Sequence, residues 1–231
     1  MDLSTFTPGS ALVTVILLAL APFFAVMVTS FTKIVVVLSL LRNALGLQQV
    51  PPNVVLNGMA LILTAYVMYP TLQQMSEAAG YSKPVVATMP GDDNVADSPL
   101  EDTEAIFATA DKAKEPLRVF LIKHSEPRER QFFLATQKKI SGPERGAIIT
   151  DKDFIVLIPA FVVKELTVAF QIGFLIFLPF LIIDMVISNI LMAMGMMMLS
   201  PVTISLPFKI LLFVLIDGWV QLSHGLVISY V

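Results

Sequence analysis

Any chemistry in this chain has to come from a short set of side chains. Histidine occurs twice, at His124 and His224, far apart and without metal-ligand spacing. Cysteine is absent, which removes thiolate metal sites, a cysteine nucleophile and a disulfide frame. No phosphate-binding glycine loop and no Gly-x-Ser-x-Gly elbow occurs. The residues therefore point away from an enzyme and imply no cofactor or metal. What stands out is polar residues set inside apolar runs: Lys33, Arg42, Gln171, Asp184, Asn189, Lys209, Asp217, Gln221 and His224. Charges and amides in such helices face a protein interior or a water-filled cavity rather than lipid.

Spacing groups some of them. Asp217, Gln221 and His224 follow i, i+4, i+7, and Thr29, Thr32, Ser39 and Asn43 fall on one helical face, flanked by Lys33 and Arg42. Three roles are open on these residues alone: hydrogen-bonded glue between packed helices, the lining of a hydrated conduit, or a proton relay through Asp217 and His224. A second concentration is the stretch "LMAMGMMMLSP". Five of the chain's twelve methionines, Met192, Met194, Met196, Met197 and Met198, fall within it, and Gly195 and Pro201 are expected to weaken and end the helix there. Methionine fills irregular gaps in cores, and it also makes a compliant apolar surface that yields to varied contacts. Met185, Met192 and Met196 share a helical spacing with each other. Phe170, Phe174, Phe177 and Leu181 do the same, as an aromatic seam for helix packing.

The elements that must carry these residues are unevenly charged. Hydrophobic residues make up 56% of the 231 and charged residues 14%, against about 25% charged in soluble domains. Of the 33 charged residues, 27 lie between positions 77 and 165. The chain is apolar, polar, apolar: a hairpin over 1–76, a polar insert over 77–150 and a second hairpin over 151–231. The net charge of −3 implies no nucleic-acid partner.

The apolar runs are Ala11–Thr32 (extending to Arg42, as one long helix or as two bent near Pro22), Val54–Leu72, Leu166–Ile183 (with a kink expected at Pro179) and Leu206–Val231. The 22 residues of the first could cross the ~30 Å core of a bilayer. Its N-terminal flank has Asp2 and no Lys or Arg, so a retained helix is expected rather than a cleaved signal. Pro51 and Pro52 mark the first hairpin turn. Lys33 and Arg42 put that turn in the cytoplasm by the positive-inside rule, and the insert on the far side.

Within the insert, Pro90–Glu104 is expected as a solvated acidic linker; Asp92, Asp93, Asn94 and Asp97 lack the spacing of a calcium loop. Two helices follow, the second capped by Ser125 with Pro127 in its first turn. Ser141–Gly146 reads as a loop, and Thr150 with Asp153 as a capping-box start. The fold class expected is an all-α membrane protein, two apolar helical hairpins flanking a polar, mainly helical extracytoplasmic insert.

Three long stretches carry a resemblance: "TSFTKIVVVLSLLRNALGLQQVPPN" (Thr29–Asn53), "PAFVVKELTVAFQIGFLIFLPFLIIDMVISNILMAMGMMMLSP" (Pro159–Pro201) and "ISLPFKILLFVLIDGW" (Ile204–Trp219). They are similar to the SctR/FliP family, the export-gate subunits of type III secretion systems. The ending "LSHGLVISYV" and the N-terminus read as uncleaved resemble the injectisome branch more than the flagellar one.

The resemblance implies several copies of the chain assembled with SctS/FliQ-like and SctT/FliR-like subunits, and with a SctU/FlhB-like switch subunit and inner-rod or needle proteins nearby. The location implied is the secretion-system basal body in the bacterial inner membrane, with unfolded protein substrates passing through the centre. It maps a methionine gasket to Met196, Met197 and Met198, with Met192 and Met194 beside them. It also implies apolar hairpins held largely above the bilayer plane by subunit packing. The alternative is a small-solute or ion transporter subunit using Asp184, Asp217 and His224, against which the chain has no inverted repeat. A third option is a membrane-anchored scaffold whose insert binds partners.

Overall fold

The computed structural model describes residues 15–16, 19–20, 23–47, 49–80, 103–146, 148–196 and 198–231, with backbone alone for 103–110 and 143–146. Pro22, where a bend is one of the two readings, and most of the acidic linker lie outside the described residues. Among the described residues the named helices are, in order, α1 Phe31–Ala44, α2 Asn53–Ala78, α3 Thr103–His124, α4 Pro127–Gly146, α5 Phe154–Ala193, α6 Pro201–Leu215 and α7 Gly218–Ile228. Residues 23–28 are also helical and are set off from α1 at Thr29 and Ser30. There the hydroxyls of Thr29 and Thr32 donate to the carbonyls of Ala25 (2.6 Å) and Val26 (2.8 Å). The row of hydroxyls expected on one face thus serves its own backbone, and Ser39 likewise donates to Val35.

The α-helical fold is as the sequence implies, and the hairpins interlock. The most extensive helix contact is α1 against α5. It is allowed by small residues: Ala169 and Gly173 are buried, and a Cβ on Gly173 would stand 2.3 Å from Leu40 Cδ1. Three buried clusters run along the molecule. One joins Ile34, Val37 and Leu38 of α1 to Leu56 and Ala60 of α2, Ala169 of α5 and Leu226 of α7. A second joins Met68, Phe120, Leu121, Leu157, Phe161 and Tyr230, so the insert helix α3 contributes to the core. The third, Leu41, Ala44, Leu45, Phe180 and Phe213, lies where α1 ends.

Among the described residues two helices, α2 and α5, are long and apolar enough to cross a membrane, and the bent pair α6–α7 makes a third if taken as one span. The fourth apolar run is therefore two helices bent by 60°, not one. Helix α5 continues through Pro159 and Pro179 for 40 residues, roughly 60 Å at the helical rise, about twice the apolar layer. Its N-terminal part packs on α3 and α4.

Several local expectations shift. Ser125 Oγ donates back to Ile122 at the end of α3 rather than capping α4, which starts at Pro127. Gly142 (φ 75) kinks the chain where a loop was expected, and helical backbone resumes after it. Asp153 does accept from the Thr150 amide (2.8 Å), but it closes a turn that precedes α5 and itself occupies the N-cap. All four residues of the seam, Phe170, Phe174, Phe177 and Leu181, are exposed rather than buried between helices.

Candidate functional site

The methionine stretch is a loop between α5 and α6 with both ends fixed by backbone chemistry. Helix α5 ends at Gly195, whose φ of 73° is the left-handed conformation that a side chain resists. The amide of Gly195 donates to Met192 (3.1 Å) and that of Met196 to Leu191 (2.9 Å), which closes a Schellman motif. Glycine, then, rather than Pro201, stops the helix. Pro201 instead opens α6 as its first residue, with Ser200 at the N-cap, because a proline there lacks only a donor the helix does not use. Between these fixed ends the thioethers stay in the open. Met192, Met194 and Met196 are 54%, 62% and 44% exposed, and Met198 is fully exposed at 101%. Core filling within this chain is therefore not their role. Met197 lies outside the described residues.

Below the loop, the two helices are pinned by a polar knot. Asp184 of α5 accepts from Ser205 Oγ and, at 2.6 Å, from Lys209 Nζ of α6. Lys209 is buried, and its ammonium also reaches the Ala44 carbonyl at the C-terminus of α1 (3.4 Å), the negative end of that helix. Gly46 follows, with φ 78°, and the side chains of Val202 and Leu206 pack against it. The turn of the first hairpin thus lies beside the first turns of α6. Arg42 closes that turn by donating to Asn53 Oδ1 (2.5 Å). The sequence named Asp184, Lys209 and Arg42; the structure joins the first two and adds Ser205.

A second knot was not legible as a site. Lys33 and Glu165 are each 3% exposed and pair at 3.7 Å. Tyr230 donates its hydroxyl to Glu165, and its ring lies under the Lys33 ammonium, 3.4 Å from the centroid. Lys33 thus faces the interior and presents no charge to a membrane surface, which leaves Arg42 alone in the positive-inside argument. The signal that could have found Glu165 is its spacing: Glu165, Ala169 and Gly173 form an i, i+4, i+8 stripe on the buried side of α5. The insert leans on this knot through His124, whose ring meets Tyr230 edge-on at 5.2 Å and Phe120 at 4.6 Å. Burial, with the charges of Lys123 and Lys33 nearby, pushes the His124 imidazole down to about 4.

The remaining named residues stay apart. Gln171 and Asn189 are exposed on α5. Asp217 sits at the α6–α7 corner with φ 50°, outside the regular turns that Gln221 and His224 occupy, and all three are exposed. Among the described residues Asp217 and His224 share no hydrogen bond. The corner itself is set by Phe213: its ring occupies the space a Cβ on Gly218 would take, at 2.2 Å, and stacks edge-on with Trp219.

The sequence is similar to those of known proteins. The model of the FliP family matches residues 13–226. The Yop proteins translocation protein R of Yersinia pestis is 49% identical over 217 residues, 93% of this chain and 92% of that protein. The hypersensitivity response secretion protein HrcR of Ralstonia nicotianae is 46% identical over 222 residues, covering 96% and 97%. The flagellar biosynthetic protein FliP of Bacillus subtilis is 43% identical over 213 residues, covering 92% and 87%.

Proposed function

The chain belongs to the FliP family, and we propose that, as a membrane subunit of a type III secretion export apparatus, it forms part of the protein-conducting gate, with the methionine loop as its constriction. The observation that carries this reading is the loop itself: apolar, exposed thioethers on a tip whose backbone is held by Gly195 and Pro201. A core-filling methionine would be buried within its own chain. A ring of such tips, one from each copy, excludes water and ions at rest, since a narrow apolar constriction gates by dewetting. A passing unfolded chain displaces unbranched side chains at little strain. The knot of Asp184, Ser205 and Lys209 keeps the tip's stem rigid while the tip yields.

The exposed apolar rows of α5, α2 and α6 suit burial against further copies and against SctS/FliQ-like and SctT/FliR-like subunits. A SctU/FlhB-like switch subunit and rod or needle proteins complete the path. The setting is the bacterial inner membrane, with the 77–150 insert on the extracytoplasmic side. The higher identity to the two injectisome relatives than to the flagellar one supports the injectisome branch. A small-solute carrier finds less support, because Asp184 is already paired with Lys209 and Asp217 and His224 stand exposed and apart.

The test replaces Met196, Met197 and Met198 with alanine in the assembled apparatus and measures ion leak and protein export together. Raised leak with the assembly intact is expected. An unchanged leak sinks the constriction.

A further inference from the structure

Sulfur in this chain is concentrated where the structure leaves it open. There is no cysteine to compete for oxidant. Among the described methionines, Met68 is 2% exposed and Met59 is packed against the core; Met27 and Met185 are 46% and 58% exposed on helical segments, and only at the end of α5 and in the loop after it do exposed methionines cluster, Met192, Met194, Met196 and Met198, the last without any cover. The two ends of the loop are held by the Schellman bonds at Gly195 and by Pro201, and the described thioethers between and beside them are open in this chain without any unfolding step. Susceptibility of methionine to oxidation follows access to the sulfur.

We propose that the loop is an oxidant-sensitive modification site, in which conversion of Met198 and its neighbours to sulfoxides breaks the apolar seal. The functional half of this inference rests on the constriction reading; the chemical half does not. The co-reactant is a peroxide. A sulfur lone pair attacks one peroxide oxygen, the S–O bond forms and the O–O bond breaks. Sulfur loses two electrons, and the departing hydroxide takes the proton from the sulfur-bound hydroxyl to leave as water. The product is polar and a strong hydrogen-bond acceptor where the thioether was apolar. A ring lined with such groups holds water instead of expelling it, and the condition for dewetting is lost. The change is reversible by methionine sulfoxide reductases, one enzyme for each sulfoxide epimer. Oxidation therefore acts on the closed gate as a reversible loosening and leaves the helices, held by Asp184, Lys209 and the buried clusters, in place.

The experiment treats the complete export gate, reconstituted in liposomes, with hydrogen peroxide. It follows each methionine by peptide mass spectrometry while recording ion leak. Met198 is expected to oxidise at least about tenfold faster than Met68 in the same sample. Leak is expected to rise with Met198 sulfoxide and to fall again after treatment with both reductases. A second gate with leucine at Met192, Met194, Met196, Met197 and Met198 removes the sulfur; whatever its starting leak, that leak is expected not to change on adding peroxide. Equal rates at Met198 and Met68 overturn the site. Complete sulfoxide formation with unchanged leak overturns the functional consequence. If the alanine variants described above do raise leak, that second result leaves the constriction standing and removes only its sensitivity to oxidant; if they do not, the constriction itself has failed.

Discussion

Lys209 shows how much one residue can hold in this molecule. Its buried ammonium joins the carboxylate of Asp184 at 2.6 Å and the last turn of α1, so three helices meet at one charge. Removing one partner of a buried pair costs far more than the pair contributes, because the other charge is left without compensation. Lys209→Met is expected to destabilise the detergent-solubilised protein, toward the lower end of ~3–5 kcal/mol because Asp184 keeps some solvent. Adding Asp184→Leu is expected to restore much of the loss, read as the midpoint of thermal unfolding. Failure of the double variant to recover would show that shape rather than charge is at stake. His124 gives a pH dependence with a definite sign. Its folded value is about 4 against an ordinary 6.5. Between those values the unfolded chain takes up a proton that the folded chain refuses, so this residue's effect is to lower stability as pH falls from 6.5 toward 4. The wild type is expected to lose more stability than His124→Gln on moving from neutral pH to about pH 5. A gap between the two that does not change with pH would contradict the burial of the imidazole.

At the scale of elements, the corners matter more than the spans. The bend of 60° between α6 and α7 is built from Phe213, Asp217 and Gly218. A methyl group at Gly218 meets a rigid ring at 2.2 Å, with no flexible chain end to swing away. Gly218→Ala is expected to cost about 1–3 kcal/mol through overpacking, and Phe213→Leu in the same chain is expected to relieve part of it. The two changes should therefore be non-additive in a double-mutant cycle; simple additivity of the unfolding free energies would separate the bend from the ring. Helix α5 was legible from its apolar run, and so was the existence of the methionine turn. The roles of its two punctuating residues were not. Gly195 and Pro201 both read as breakers, and only the backbone geometry assigns one to ending α5 and the other to starting α6.

The whole molecule leaves a large apolar surface unmatched. Phe170 and Phe174 are 59% and 64% exposed on α5, about 100° round the helix from the stripe on which Ala169 and Gly173 close against α1. Surface of that kind is covered by lipid or by other subunits. Replacing Phe170 and Phe174 together with serine is expected to lower the yield of the assembled gate in native mass spectrometry, while the helical circular dichroism of the single chain stays unchanged. Loss of helicity instead would place those rings in the fold of the chain itself. The insert is part of the same body, since Phe120 and Leu121 are buried with Met68, Leu157 and Phe161. The apolar helices are therefore sheathed at one end by polar ones, and hydropathy alone does not say where lipid begins.

Hydrophobic runs, the Pro51-Pro52 pair and the confinement of charge to one stretch determined the helical class, the two hairpins and the position of the methionine loop, because these depend on local periodicity and local breaks. The partners of the lone charges were decided by tertiary structure. Lys33 looked like a topological marker until Glu165 and Tyr230, distant in sequence, closed around it. Asp184 and Lys209 were both visible, but their pairing was not. A buried charge is tolerated only where packing brings it a counter-charge, and which helices pack is settled by small residues such as Ala169 and Gly173 letting backbones approach, information carried by the assembled surface and not by any single run.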